Sequence, residues 1–98
     1  MEEDRFTEIL KQMSELHDRK NADYGNAWHE EFQEFGPVCG VLRLYEKTKR
    51  LKSLYQNGRA QVYDESFEDT LIDIANYAVM TLAELREYEQ QRNQTEAF

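Results

Sequence analysis

Cysteine, proline and glycine are scarce in this chain of 98 residues, which contains one Cys, one Pro and four Gly. A single cysteine excludes a disulfide framework and a zinc site built from cysteines, and it is typical of proteins in a reducing compartment. So little proline and glycine excludes collagen-like and linker-rich sequence. The length allows one domain at most, with a small hydrophobic core.

An excess of positive charge and long apolar runs are also lacking. Twelve Lys and Arg stand against twenty Asp and Glu, which gives a formal net charge of −8. Nucleic-acid polymers and membrane surfaces are bound mainly through excess positive charge, so neither is an expected partner. No apolar run approaches the ~20 residues that span a bilayer, and the acidic start does not resemble a signal peptide, so we expect a cytoplasmic protein. A small phosphorylated ligand is compatible with this charge when a divalent cation mediates its binding.

Apolar residues recur at i, i+3, i+4 and i+7 in three long segments, and no segment shows the alternation typical of a strand. This pattern predicts three main helices, over residues 4–19, 38–55 and 65–91. Gly36-Pro37 and Asn57-Gly58 mark the breaks, because proline does not fit inside a helix and Asn-Gly favours a helix end.

The remaining segments carry weaker signals. Residues 20–28 contain Asn, Asp and Gly without a clear period, which predicts an ordered loop. Residues 29–35 are long enough for a short fourth helix, and residues 93–98 are expected to fray. The sequence therefore predicts a single all-α domain over residues 1–98, built as an oligomeric helical bundle.

Asp73 is the one charged residue over residues 70–83 of the predicted third helix. At ~100° per residue, the apolar side chains around it cover almost the whole circumference, so this stretch should be buried on more than one side. A carboxylate there costs free energy unless it is paired or binds a metal ion. Its stripe also carries Glu65, Asp69 and Asn76. An acidic helix start explains Glu65 and Asp69 through the helix dipole, but it does not explain Asp73 and Asn76.

The second predicted helix supplies the opposite charge. Arg43, Lys47 and Arg50 share one face, with Glu46 at its border. Cations at this spacing either grip phosphate groups or neutralise the acidic stripe of the third helix. The spacing alone leaves both interpretations open.

Aromatic residues accompany amides and a carboxylate after the first predicted helix, at Asp23, Tyr24, Asn26 and Trp28. Aromatic rings stack on nucleobases while Asn and Asp bond the base edge. Such aromatics more often cap a small core, so this segment is compatible with both roles.

Three motifs in register resemble the nucleotide modification associated domain type 1, a small phage and bacterial family. The motifs are Lys20-Asn21-x-Asp23-Tyr24-Gly25-x-x-Trp28, Arg43-x-x-Glu46-Lys47-x-x-Arg50-Leu51-x-x-Leu54 and Glu65-Ser66-x-x-Asp69-Thr70-Leu71-x-Asp73-x-Ala75-Asn76-Tyr77. The resemblance covers roughly residues 20–85. The family name implies an association with nucleotide modification rather than a defined reaction.

The acidic helices also look like those of the all-α nucleoside triphosphate pyrophosphatases, the MazG and dimeric dUTPase group. Those enzymes typically hold Mg²⁺ with an E-x-x-E pair on one helix and an E-x-x-D pair on the next. They cleave a nucleotide between its α- and β-phosphates. Here Asp73 matches the closing Asp and Glu46 matches one acid of the other helix, but Thr70 replaces the acid three positions before Asp73, and the expected partners of Glu46 are basic.

This resemblance implies a Mg²⁺-dependent nucleotide pyrophosphohydrolase or a close derivative. Mg²⁺ would be held, and catalysis carried, by Glu46, Asp69 and Asp73. Phosphates would be bound by Lys20, Arg43, Lys47 and Arg50. The base and sugar would contact Asn21, Asp23, Tyr24, Trp28 and Asn76.

The alternative hypothesis is a non-catalytic helical module that binds a nucleotide or a partner protein in a phage or mobile-element system. In that case Arg43, Lys47 and Arg50 pair with the acidic stripe across the helix interface. Dependence of nucleotide binding on Mg²⁺ distinguishes the two hypotheses.

A homodimer or homotetramer is expected, because two other short helices do not bury the full circumference of the third. Residues away from its main apolar stripe, at Ile72, Val79 and Ala83, are the predicted interface. The resemblance to the oligomeric pyrophosphatases implies the same.

Overall fold

The computed structural model describes residues 4–24, 26–57 and 65–96, and within these ranges all regular secondary structure is helical. The four helices are α1 (Arg5–Tyr24), α2 (Ala27–Phe35), α3 (Val38–Asn57) and α4 (Glu65–Glu96). The predicted all-α class is confirmed, and the short fourth helix is present as α2. Although α4 has 32 residues, no helix in the described ranges is both long and apolar enough to cross a membrane.

Helix α1 begins after Asp4, whose carboxylate accepts a hydrogen bond from the backbone N–H of Thr7 at 2.8 Å. This bond caps the first turn and lowers the pKa of Asp4 below its ordinary value. The helix continues to Tyr24, so the loop predicted over residues 20–28 is wrong for most of its length. Asn and Asp cost only a few tenths of a kcal/mol each inside an established helix, and they do not end it.

A tight turn at Gly36-Pro37 joins α2 to α3. Gly36 has φ 82°, a conformation that favours glycine, and its N–H donates to the carbonyl of Phe32 at 2.7 Å. The turn folds α2 back beside α3, where Arg43 pairs with Glu31. The predicted break at this position is therefore confirmed.

Helices α3 and α4 form an antiparallel pair at the centre of the fold. They approach closely at Gly40, where a Cβ atom would collide with the side chain of Thr81. Thr81 donates its own hydroxyl to the carbonyl of Tyr77 at 2.6 Å, so the close approach leaves no polar atom unpaired there. Further along, Lys47 of α3 reaches Asp73 of α4.

The core enclosed by these helices is small. Among the described residues the buried apolar side chains are Met13, Phe32 and Cys39, with Thr70 as a buried polar one. The main apolar stripe predicted for α4 consists of Phe67, Leu71, Ile74, Ala75, Ala78, Leu82 and Leu85. Leu71, Ala78 and Leu82 are exposed, and the other four are half-buried. Helix α4 turns Thr70, Tyr77 and Thr81 inwards, so the chain buries the apolar stripe of this helix only in part.

Candidate functional site

A cavity of about 640 Å³ lies between α1, α2 and α4. A smaller cavity adjoins it, and both are lined by His17, Asn21, Asn76 and Met80. We call the continuous depression the α1–α4 groove. The smaller cavity carries Lys20 and Asp73, and the larger one carries His29 and Glu84, so the two ends of the groove differ in chemistry.

Asp73 is held between two lysines from two different helices. Its Oδ1 lies 3.5 Å from the Nζ of Lys20 on α1, and its Oδ2 lies 3.3 Å from the Nζ of Lys47 on α3. The Asp73 side chain is 25% exposed and is paired with cations, which is one of the two ways expected to offset the cost of a carboxylate in this apolar stretch. We call these three residues the Lys–Asp–Lys triad.

The triad carries one net positive charge on a chain of net charge −8. Ion pairs between partly exposed side chains contribute about 0–1 kcal/mol each, because water screens them and long side chains lose freedom. Loss of these ion pairs would therefore cost little folding free energy.

Amides and aromatic rings surround the middle of the groove. Asn21 on α1 and Asn76 on α4 line both cavities. The ring of Trp28 lies 5.7 Å from that of Tyr77 and 6.2 Å from that of Phe32, measured between centroids. The indole Nε1–H of Trp28 is buried and has no hydrogen-bond partner among the described residues, which is uncommon for such a donor.

The other end of the groove contains an ion pair that the sequence analysis missed. The Nδ1–H of His29 donates to Glu84 at 2.8 Å, and a carboxylate oxygen of Glu87 lies 3.9 Å away. The hydrogen bond and negative charge of Glu84 raise the pKa of His29 above its ordinary value. This hydrogen bond joins α2 to α4 between residues that are 55 positions apart, so no local sequence spacing predicts it.

The predicted metal ligands are not gathered in one place. Within the described parts of the chain, the one group of three possible ligand atoms within 4.8 Å of one another is His29, Glu84 and Glu87. Glu46 is exposed and lies 3.7 Å from Arg43, and Asp69 is exposed on the first turns of α4. Among the charged candidates whose side chains are described, Lys20 and Asp73 line the groove, and Lys47 reaches it through its ion pair with Asp73.

The remaining predicted phosphate ligands lie elsewhere. Arg43 donates to both carboxylate oxygens of Glu31, at 3.1 and 3.3 Å, and so fastens α2 onto α3. Arg50 is exposed and makes no ion pair with any described residue. Asp23 and Tyr24 belong to α1, but their side chains lie outside the described residues.

Cys39 is buried beneath α2, where its thiol donates to the carbonyl of Glu31 at 3.5 Å. Burial raises the pKa of this thiol, which keeps it protonated and unreactive at neutral pH. The groove chemistry therefore rests on carboxylates, lysines, imidazoles and amides.

Comparison with protein families gives a match that includes most of the residues lining the groove. The family model described as nucleotide modification associated domain 1 matches residues 20–85, which include the whole Lys–Asp–Lys triad. Comparisons with curated proteins and with solved structures gave no match. Because the matched segment spans more than half of the chain, the protein belongs to the nucleotide modification associated domain 1 family.

Proposed function

We propose that the protein binds a small nucleotide in the α1–α4 groove, with the phosphates at the Lys–Asp–Lys triad. The observation that carries this proposal is the meeting of Lys20 and Lys47 on one carboxylate, Asp73, at the end of a groove. Two lysines from different helices around one acid form a site that is ready to accept a second anion.

Binding of a nucleotide with Mg²⁺ would exchange partners without leaving a charge uncompensated. The phosphate oxygens would take the ammonium groups of Lys20 and Lys47, and Asp73 would take the cation. Mg²⁺ in such sites is usually bound by one or two carboxylates together with substrate phosphates and water, so the donor set fits the ion only when the nucleotide is present. Asp69 and Glu46 remain proposed as further ligands, although both are exposed.

The aromatic part of the groove suits the base. The rings of Trp28 and Tyr77 offer stacking surfaces, and the amides of Asn21 and Asn76 offer donors and acceptors to a base edge or sugar. Asn76 lies three residues after Asp73 on α4, which places it on the neighbouring part of the same helix surface.

We further propose that the reaction, if the groove turns its ligand over, is hydrolysis of a nucleoside triphosphate to the monophosphate and pyrophosphate. The similarity of the acidic helices to the all-α pyrophosphatases motivates this reaction class. Mg²⁺ supplies neutralisation of phosphate charge and activation of water when it is bound. Lys20 and Lys47 would hold the phosphate chain in place.

The second candidate is a non-catalytic binding module, and one observation favours it. Lys47 pairs with Asp73 of the acidic stripe across the α3–α4 interface, as the alternative drawn from the sequence expects, whereas Arg43 pairs with Glu31 of α2. In this case nucleotide binding, where it occurs, is independent of Mg²⁺ and produces no pyrophosphate.

Thermal unfolding with each common nucleoside triphosphate, with and without Mg²⁺, tests the proposal. A ligand that binds only the folded state at a hundredfold excess over its dissociation constant stabilises by about 2.7 kcal/mol, which raises Tm by several degrees in a small domain. The proposal expects this shift only when both components are present. If none of the nucleotides changes Tm, with or without Mg²⁺, the protein does not have this function.

Variants locate the binding. Lys20→Ala and Lys47→Ala each remove a charged phosphate contact, so each should weaken nucleotide binding about 10- to 100-fold. Lys52→Ala, on an exposed position of α3, is the matched control and should leave the affinity unchanged. Identification of released pyrophosphate then separates the enzyme from the binding module.

A further inference from the structure

The α3–α4 pair has one face that no other part of the described chain covers. Helices α1 and α2 both pack on the opposite side. The exposed or half-exposed apolar residues on the uncovered side, which we call the outer face, are Val41, Leu44, Tyr45, Leu71, Ala78 and Leu82.

Helix geometry shows that these residues lie on one side of the pair. The contact between Gly40 and Thr81 marks where the helices meet. On α3, Arg43 lies about 60° from Gly40 on the side of α2, while Val41 lies about 100° away in the other direction.

The same division holds on α4. Glu84, which binds His29 of α2, lies about 60° from Thr81 on one side, while Leu82 lies about 100° away on the other. Val41 and Leu82 therefore belong to the same uncovered surface. The residues of α4 between Leu71 and Leu82 that lie on this surface are uncharged, because Asp73, the one charge in that stretch, points to the other side of the pair and binds Lys47.

The exposed area of the chain is too large for an isolated globular protein. The accessible surface is 7923 Å², whereas a monomeric protein of 11.7 kDa is expected to expose about 5,900 Å². The radius of gyration is 16.3 Å, against about 12.6 Å for a compact domain of this length. The excess of about 2,000 Å² exceeds the roughly 800 Å² that each partner buries in a stable protein interface.

We propose that a second copy of this chain covers the outer face, so that two α3–α4 pairs pack against each other in a closed dimer. A row of exposed apolar side chains on a free chain promotes aggregation, and the partner that is always present when the chain is made is another copy. The combination of small Ala78 with large Leu71 and Tyr45 suits a surface that packs against itself. This interface replaces the one expected at Ile72, Val79 and Ala83, of which Val79 and Ala83 line the α1–α4 groove.

The mass of the protein in solution tests the proposal, with one leucine-to-glutamate and one valine-to-glutamate variant of α4. By light scattering, the unmodified chain should have about twice the 11.7 kDa mass of one chain. Leu82→Glu should give the mass of one chain, because a charge is not tolerated in a dry interface. Val79→Glu is the matched control: Val79 is 58% exposed and Leu82 47%, but Val79 lies towards the groove, so its variant should remain a dimer.

A mass of 11.7 kDa for the unmodified chain at every accessible concentration would overturn the proposal. So would an unchanged dimer in both Leu82→Glu and Tyr45→Glu. Should the glutamate variants fail to fold, Leu82→Ala is compared with Val79→Ala by dilution. Leu82→Ala should raise the dimer dissociation constant by about tenfold or more, because the symmetric interface loses two leucine side chains. Equal dissociation constants for Leu82→Ala and Val79→Ala would show that the outer face is not the interface.

Discussion

The two sides of the α3–α4 pair differ in a way that reverses the usual expectation. The side that the chain covers with its own α1 and α2 is rich in polar contacts, among them the Lys–Asp–Lys triad and the Arg43–Glu31 pair. The side that it leaves bare is apolar, with Leu71, Leu82 and Tyr45 exposed. An amphipathic pattern thus indicates which surface must become dry, but it does not indicate whether the same chain or a second one covers it.

The covered side should depend most on Phe32, which is completely buried and contacts both Trp28 and Tyr88. Phe32→Ala should lower the free energy of unfolding by about 3–5 kcal/mol, since it removes the largest side chain of a small core. Phe35→Ala, three residues later on the same helix and 63% exposed, is the control. Urea unfolding of both variants makes the comparison, and equal losses would mean that the covered side is not the core.

The close approach of α3 and α4 is the next largest effect. Gly40→Ala should cost about 1–3 kcal/mol, because the new methyl group meets the Thr81 side chain and forces the helices apart. Addition of Thr81→Ala should recover part of the loss but not all of it, because the Cβ of residue 81 still lies 2.8 Å from the new carbon. A double-mutant cycle by urea unfolding measures the coupling, and additive effects would contradict the contact.

The triad should matter more for binding than for folding. Asp73→Asn should change the free energy of unfolding by no more than about 2 kcal/mol, because each of the two ion pairs that it removes is partly exposed. The same variant should lose Mg²⁺-dependent nucleotide binding. Glu68→Gln, exposed near the start of α4, is the control for charge alone. A loss of several kcal/mol with unchanged binding would favour the non-catalytic module.

The smallest effect is a pH dependence at the His29–Glu84 bond. Since the pKa of His29 is raised in the folded chain, the bond stabilises fully below the ordinary pKa of 6.5 and its contribution is lost as the pH rises through the higher folded value. Unfolding free energies measured from acidic to alkaline pH should show this decline in the unmodified chain and in His17→Gln. The decline should be absent in His29→Gln.

Local sequence patterns were sufficient for the elements that depend on local contacts. The starts of α3 and α4 and the Gly36-Pro37 turn were predicted where the structure has them, because periodicity and turn residues act over a few positions. The continuation of α1 was missed, since the weak preferences of Asn21 and Asp23 were outweighed by the cooperativity of a helix already formed.

The site was predicted where the chemistry was unusual and missed where it was ordinary. Asp73 stood out as a charge in an apolar stretch, so its need for a cation was foreseeable. The partners that meet it, one from α1 and one from α3, depend on how the helices pack, and no spacing within either helix specifies that. His29 and Glu84 gave no signal at all, because each is a common surface residue until the fold brings them together.

The position of Trp28 gives the protein a built-in optical probe. Trp28 is the one tryptophan of the chain, and it lies in the wall of the groove against Tyr77 with an unbonded indole N–H. Indole emission responds to the polarity and hydrogen bonding of its surroundings, so all of the tryptophan fluorescence reports on one place. A ligand that enters beside the ring should shift or quench this emission, and occupancy of the groove is then readable in the unlabelled chain.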